Sequence, residues 1–482
     1  MSDSQRVHQE RERVAKVIRE NAAKAWHLAE QGKFQVAWTW LDLNKKAAQA
    51  IQNEELLADN LCQRGLICQK AGQFRQAKTY YEQALKVYRR LHLREQEAAC
   101  LSNLGALHQQ LGKPAEALEY LNAALSTQRE IGDRRGEALA LGNIGLVQQM
   151  QGKPRDALGS QQEALKIFRE LDARRDEAST LGHIAGIHES LGRLQQAVDG
   201  YQKALRICRE LGYQEGIAAN LANIGLIYQT QGMLTKASEL YREALRIYQR
   251  IGNQQGEANQ LSKIGTLYRL WGDFQQAFEH QEAALQCFRK IGDRKGELQV
   301  LGSLAILYYD QGHFTEALKL LARSRELAQD IGYPRGEASI LGNMALTYAR
   351  LGKIEEALIC HQQSLEISRC IGFRQGEISA FLNMGNLFYT LNDWTQALAH
   401  FQQALEMARK YGFGPSAMKA LANIGNIGFS QGKLDEALKA YREGLQLAEE
   451  MGDQQSRSSI LGNIGNISYA KGDLQEALAY TQ

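Results

Sequence analysis

Proline is nearly absent, with four residues in a chain of 482. A set of ordinary loop-rich domains would carry roughly 5% proline, so that architecture is excluded. Cysteine is also sparse. Cys62, Cys68, Cys100, Cys208, Cys287, Cys360 and Cys370 contain no CxxC pair and are odd in number. This argues against a disulfide framework and against a zinc site. All seven fall inside helical patterns and read as small apolar side chains in a reducing compartment. No apolar run reaches the ~18 residues that a membrane span needs. The opening MSDSQRVHQERERVAKVIRE has no apolar core. No secretory signal is therefore expected, and a cytoplasmic location is. An excess of one charge is missing too: 57 Lys and Arg stand against 54 Asp and Glu, a net +3. That balance leaves no basic footprint for a nucleic-acid partner.

The motifs of common enzymes are also missing. There is no GxxxxGK[ST], GxSxG or HExxH, and no Cys/His zinc spacing. The ten histidines are scattered. His183 and His188 share a helical segment, but five residues place them ~140° apart around its axis. No catalytic residue, metal or cofactor is expected, and the chain is not read as an enzyme.

What the sequence has is a repeat. Gly32, Gly72, Gly112, Gly152, Gly192, Gly232, Gly272, Gly312, Gly352, Gly432 and Gly472 recur every 40 residues, and only Asn392 breaks the series. An alanine follows five residues later in all twelve copies, from Ala37 to Ala477. Each copy reads as two helices. In residues 134–171 an apolar stripe of Leu141, Ile144 and Val147 has helical spacing. Gly152 ends that helix as a residue that tolerates a left-handed backbone, and Pro154 opens the next. A second glycine series lies inside first helices, including Gly105, Gly145, Gly225, Gly385 and Gly425. Each costs ~1 kcal/mol against alanine there. So regular a cost implies close helix approach, where a methyl group would clash, and large residues such as Tyr81, Tyr201, Tyr241, Phe401 and Tyr441 fill the spaces between the small residues of second helices.

These residues resemble the tetratricopeptide repeat family. Leu221, Gly225, Tyr228, Gly232, Ala237, Tyr241 and Ala244 reproduce its pattern within one unit. The usual unit has about 34 residues. The longer unit and the LGNIGLIYQTQG style are similar to the subclass of kinesin light chains and Pins-type adaptors. The resemblance implies an all-α, right-handed superhelical solenoid of about twelve antiparallel helix pairs. Residues 1–52 are expected to form an atypical N-terminal cap, and 53–482 the array, whose last unit stops mid-helix at Gln482. That stop predicts either self-association through the uncapped last repeat or a continuation of the natural chain.

By the same resemblance, first helices line the concave face. One position there carries Asn103, Asn143, Asn223, Asn343, Asn383, Asn423 and Asn463, and three residues on Asn386, Asn426 and Asn466 follow in the last three units. Asparagine is a mediocre helix residue, and its amide is both donor and acceptor. Two readings follow. The amides hold the backbone of an extended peptide, as Asn at the matching positions of the family does, or they form a structural ladder with neighbouring helices. Gly142, Gly182, Gly302, Gly342 and Gly462 keep that face shallow, and Lys263, Arg350 and Lys419 supply positive charge for an acidic peptide. The expected role is a scaffold for protein or peptide partners, without nucleic acid or membrane insertion. The alternative is the sensor region of a larger protein whose effector domain lies beyond residue 482.

Overall fold

The computed structural model describes residues 3–30, 32–451 and 453–481, so Gln482 lies outside the described residues. Among the described residues there are twenty-four helices and no strand. They pair into twelve units, numbered here by their loops from Gly32 (unit 1) to Gly472 (unit 12). Unit 4 is typical. Its helices are Arg134–Met150 and Pro154–Glu170, 17 residues each. The first helix of unit 1, Asp3–Glu30, is longer at 28 residues. The last, Leu474–Thr481, has 8.

Each loop turns by the same device. Lys113 N–H donates to His108 at 2.9 Å while Gly112 N–H donates to Gln109 at 3.0 Å. These paired bonds satisfy the last carbonyls of the helix and require a left-handed residue, which Gly112 supplies at φ 75°. Asn392 adopts the same conformation at φ 59°, because its short polar side chain tolerates it. The irregular position thus preserves the turn. The following helix is capped where the sequence allows: Asp133 accepts from Gly136 N–H at 2.8 Å.

The internal glycines are sockets. A Cβ on Gly65 would lie 2.5 Å from the Tyr81 ring, one on Gly385 2.5 Å from Phe401, and one on Gly425 2.5 Å from Tyr441. Each large side chain of a second helix therefore presses on bare backbone of the first, and the pair packs closely. Tyr81, Tyr241 and Phe401 are fully buried there.

Arginines at the ends of second helices do more than meet the helix dipole. Arg129 and Arg134 both hold the buried Glu137, at 2.7 and 2.5 Å, and Arg134 reaches on to Glu170 at 3.1 Å. The arrangement recurs at Glu97 and Glu177. Burial raises the Glu137 carboxyl, but hydrogen bonds from both arginines bring it below its ordinary value.

First helices of neighbouring units pack on one another, while second helices are held apart. The array therefore curves with first helices inside. It curves enough for the chain to meet itself about six units further along. Arg294 N–H reaches the Ala71 carbonyl at 3.3 Å. Phe74 lies 5.8 Å from Tyr333, and the Lys295 ammonium sits over both rings. Gly152 leaves just enough room for Tyr411: a Cβ would come within 2.6 Å of it. A seam thus joins the loops of units 1–5 to the unit junctions of the second half. The inner face becomes a lumen whose wall is closed along this seam.

One substitution in two environments tests the sockets. Gly385→Ala must displace Phe401 and is expected to destabilise by about 1–2 kcal/mol. Gly302→Ala meets nothing within 4 Å and is expected to stabilise by about 1 kcal/mol through helix propensity. Urea midpoints should move in opposite directions.

Candidate functional site

The lumen wall is built from one face of the first helices, laid side by side. The asparagine series lies along it. Asn103, Asn143, Asn223, Asn343, Asn383, Asn423 and Asn463 are all half-buried, at equivalent places in successive units. The structure divides them by what their amides touch. Asn103 donates to Cys62 Sγ at 3.5 Å. Asn423 donates to Asn386 Oδ1 at 3.0 Å, and Asn426 accepts from the Tyr441 hydroxyl at 2.6 Å. Those four belong to a structural ladder. The side chains of Asn143, Asn223, Asn343, Asn383, Asn463 and Asn466 make no hydrogen bond to a described residue, and Asn223, Asn343 and Asn383 line clefts. The doubled set in the last three units is therefore partly self-satisfied.

Two clefts interrupt the wall between adjacent first helices. One, of about 490 Å³, lies between units 5 and 6 and is lined by Gly182, His183, Asn220, Asn223, Tyr213 and Arg175. The other, of about 330 Å³, lies between units 9 and 10 and is lined by Gly342, Asn343, Asn383, Ser339, Ser379 and His361. Their shape follows from the small residues. A Cβ on Gly182 or Gly342 would meet only one amide atom, at 3.8 and 3.9 Å. Of the other glycines of that series, Gly142 would meet only Gln161 Oε1, at 3.8 Å, and Gly302 and Gly462 face nothing within 4 Å.

The three candidate cations separate. Lys263 takes the asparagine position in unit 7 and lies over the Tyr241 ring, 5.3 Å from its centroid. Burial pushes its ammonium down to about 8, against the opposing pull of Glu189. Glu189 is in turn raised by burial, while the Tyr201 hydroxyl donates to it at 3.2 Å. Lys419 is exposed one helical turn before Asn423. Arg350 is exposed at the end of its helix, over Tyr309 and Phe314 at 6.0 and 5.8 Å. It belongs to the rim rather than to the wall.

Sequence reasoning missed the polar floor beneath the asparagines. Tyr81, Tyr201 and Tyr241 hydroxyls donate to Gln69, Glu189 and Gln229 at 2.7, 3.2 and 2.9 Å. The signal was available: Gln69, Gln109, Gln149, Glu189 and Gln229 keep the 40-residue register. His361, which replaces the large aromatic in unit 9, was also missed. It is buried, its Nδ1 has no partner, and burial lowers its imidazole to about 4.

Tetratricopeptide repeat models match residues 96–170, 176–250, 257–330 and 336–410, and further ones match 382–451 and 58–90. The chain belongs to the tetratricopeptide repeat family. A comparison with curated proteins gives no match. Among solved structures, a Rap protein complexed with competence and sporulation factor aligns at TM-score 0.52 and 14% identity, over 74% of this chain and 99% of that one. A signal-transduction ATPase with a tetratricopeptide repeat sensor, from Pyrococcus horikoshii, aligns at TM-score 0.43 and 16% identity, over 67% of this chain. This chain spans 51% of that protein's length. Yeast Tom70 aligns at TM-score 0.41 and 15% identity, over 87% of this chain and 96% of that one. The Rap likeness bears on fold alone. Among the described residues, no helix is long and apolar enough to cross a membrane.

The floor makes a pH prediction. His361 is neutral in the fold down to about 4, whereas an unfolded histidine takes its proton near 6.5. Between those values the unfolded chain binds more protons, so stability is full above about 6.5 and falls as pH drops towards 4. His361→Gln is expected to flatten that fall by about 1–3 kcal/mol, read from urea midpoints at pH 7 and pH 4.5.

Proposed function

We propose that this chain is a protein-interaction scaffold whose lumen holds an extended peptide segment of a partner. The observation that carries the reading is the row of amides with no bond to described residues, at Asn143, Asn223, Asn343, Asn383, Asn463 and Asn466. An extended peptide alternates N–H donors and C=O acceptors with no partner of its own. An amide supplies one of each. Side chains of the peptide would enter the clefts at units 5–6 and 9–10, which the small residues Gly182 and Gly342 keep open. Lys263 favours a carboxylate on the segment, because a desolvated ammonium gains more from a counter-charge than a hydrated one. Lys419 extends the same positive side. On this reading the chain is not an enzyme and acts in the cytoplasm, with 1–52 as a cap and 53–482 as the binding array. The forty-residue unit supports a place near the kinesin light chain and Pins-type subclass.

Panning a random peptide library against the whole chain, then calorimetry on the selected peptide, tests the proposal. Asn343→Ala and Asn383→Ala are each expected to lose about 1 kcal/mol of affinity, or several-fold, with unchanged circular dichroism. Lys263→Met should weaken acidic peptides selectively. Affinity indifferent to all three substitutions would refute a lumen site.

A further inference from the structure

The seam between the two superhelical turns has two free edges. Within the molecule, junctions between units in the second turn rest on loops within units of the first. The covered residues are apolar and buried: Ile291, Ile331 and Ile371 are 5%, 3% and 8% exposed, and Ala71 and Leu111 on the opposing rim are 1% and 7%. The same repeat positions recur where no turn covers them. On the junction rim of the first turn stand Ile131, Leu171 and Leu211, which are 40%, 45% and 46% exposed. On the loop rim of the second turn stand Trp271, Leu351 and Leu391, at 44%, 39% and 44%. The loop glycines follow the same division. A Cβ on Gly72, Gly112, Gly152 or Gly192 would press on the second turn, whereas Gly232, Gly272, Gly312 and Gly352 meet nothing within 4 Å.

The two bare rims are therefore the two halves of an interface that the molecule already makes with itself. Their polar anchors match as well. In the seam, Lys295 of the second turn reaches across to Phe74 of the first, while within the second turn it also lies over Tyr333 and Arg335 lies over Phe373 at 4.4 Å. On the bare loop rim the Phe74 position is held by Phe274, Phe314 and Trp394, and on the bare junction rim the Lys295 position is held by Arg135 and Arg175. Within the molecule Arg135 pairs with Asp176 at 2.9 Å and Arg175 lies over Tyr213 at 4.0 Å, so one rim carries aromatic rings and the other cations, a pairing that strengthens when water is excluded. Rows of exposed apolar side chains of this kind mark contact surfaces.

We infer that the chain self-associates head to tail along its superhelix axis, the junction rim of one copy seated on the loop rim of the next. A second copy covers both rims in this way, whereas one further superhelical turn of a longer chain would cover only one. The contact joins two different surfaces and does not close on itself, so it adds copies without limit. Stacked copies share one continuous lumen.

Sedimentation velocity across about 1 to 500 µM tests this, since a mass-action assembly grows with concentration. The parent is expected to form a concentration-dependent series of oligomers. Leu171→Glu breaks one rim and Leu351→Glu the other, and each alone should be monomeric throughout. Mixed, they should form a 1:1 dimer that grows no further, because each retains the rim the other lacks. Trp271→Lys with Leu211→Lys repeats the pair with the opposite charge, and circular dichroism checks folding. A parent that stays monomeric overturns the inference and leaves the rims to a further turn or another partner. Association that survives in either variant also overturns it, and points to the exposed Leu474 and Leu478 of the last helix. Peptide binding in the lumen does not enter either readout.

Discussion

The structure depends on glycine backbone receiving a large side chain. When Tyr81, Phe401 or Tyr441 presses into the space that a Cβ would occupy, the two helices of a unit come close, and their separation is fixed by van der Waals contact. The unit's wedge shape follows, and twelve wedges in one register accumulate into a superhelix. The 40-residue period matters because each socket must meet its own knob.

Curvature then decides the chemistry. With first helices inside, one residue per unit lines the lumen, and the same sequence position becomes a row in space. Repeated amides are costly within a helix and are useful only as a row. The structure divides the row by its hydrogen bonds. Asn423, Asn386 and Asn426 tie neighbouring helices together, while Asn343 and Asn383 leave their amides open above a cleft. The buried floor of Tyr81, Tyr201 and Tyr241 hydroxyls satisfied by Gln69, Glu189 and Gln229 holds the row in place. In the row Lys263 is the exception, a cation in an amide position whose ammonium burial pushes down to about 8.

A finite superhelix also breaks the symmetry of its own repeat. Ile131 and Ile291 occupy one position of the pattern, yet the first is bare and the second is covered. The difference arises from the number of units in a turn, a property of no single unit.

The sequence by itself determined the units. The helix ends at Gly152 and Pro154 and the close helix approach at Gly225, Gly385 and Gly425 were legible because each depends on residues within one repeat, whereas Asn392 read as a break in the series and keeps the turn. The identity of the lumen row was legible for the same reason: Asn343 and Asn383 share a register with Asn103. Which amides are open was not legible, since it depends on a hydrogen bond between units 10 and 11. That Arg350 stands at the end of its helix, over Tyr309 and Phe314, was not legible because periodicity places a side chain on a helix face but not its contacts. The buried Glu137 between Arg129 and Arg134 was missed because its partners belong to two different helices. The seam was decided by tertiary structure alone. Ala71 and Arg294 are brought together by small rotations summed over several units, and no local pattern encodes that sum.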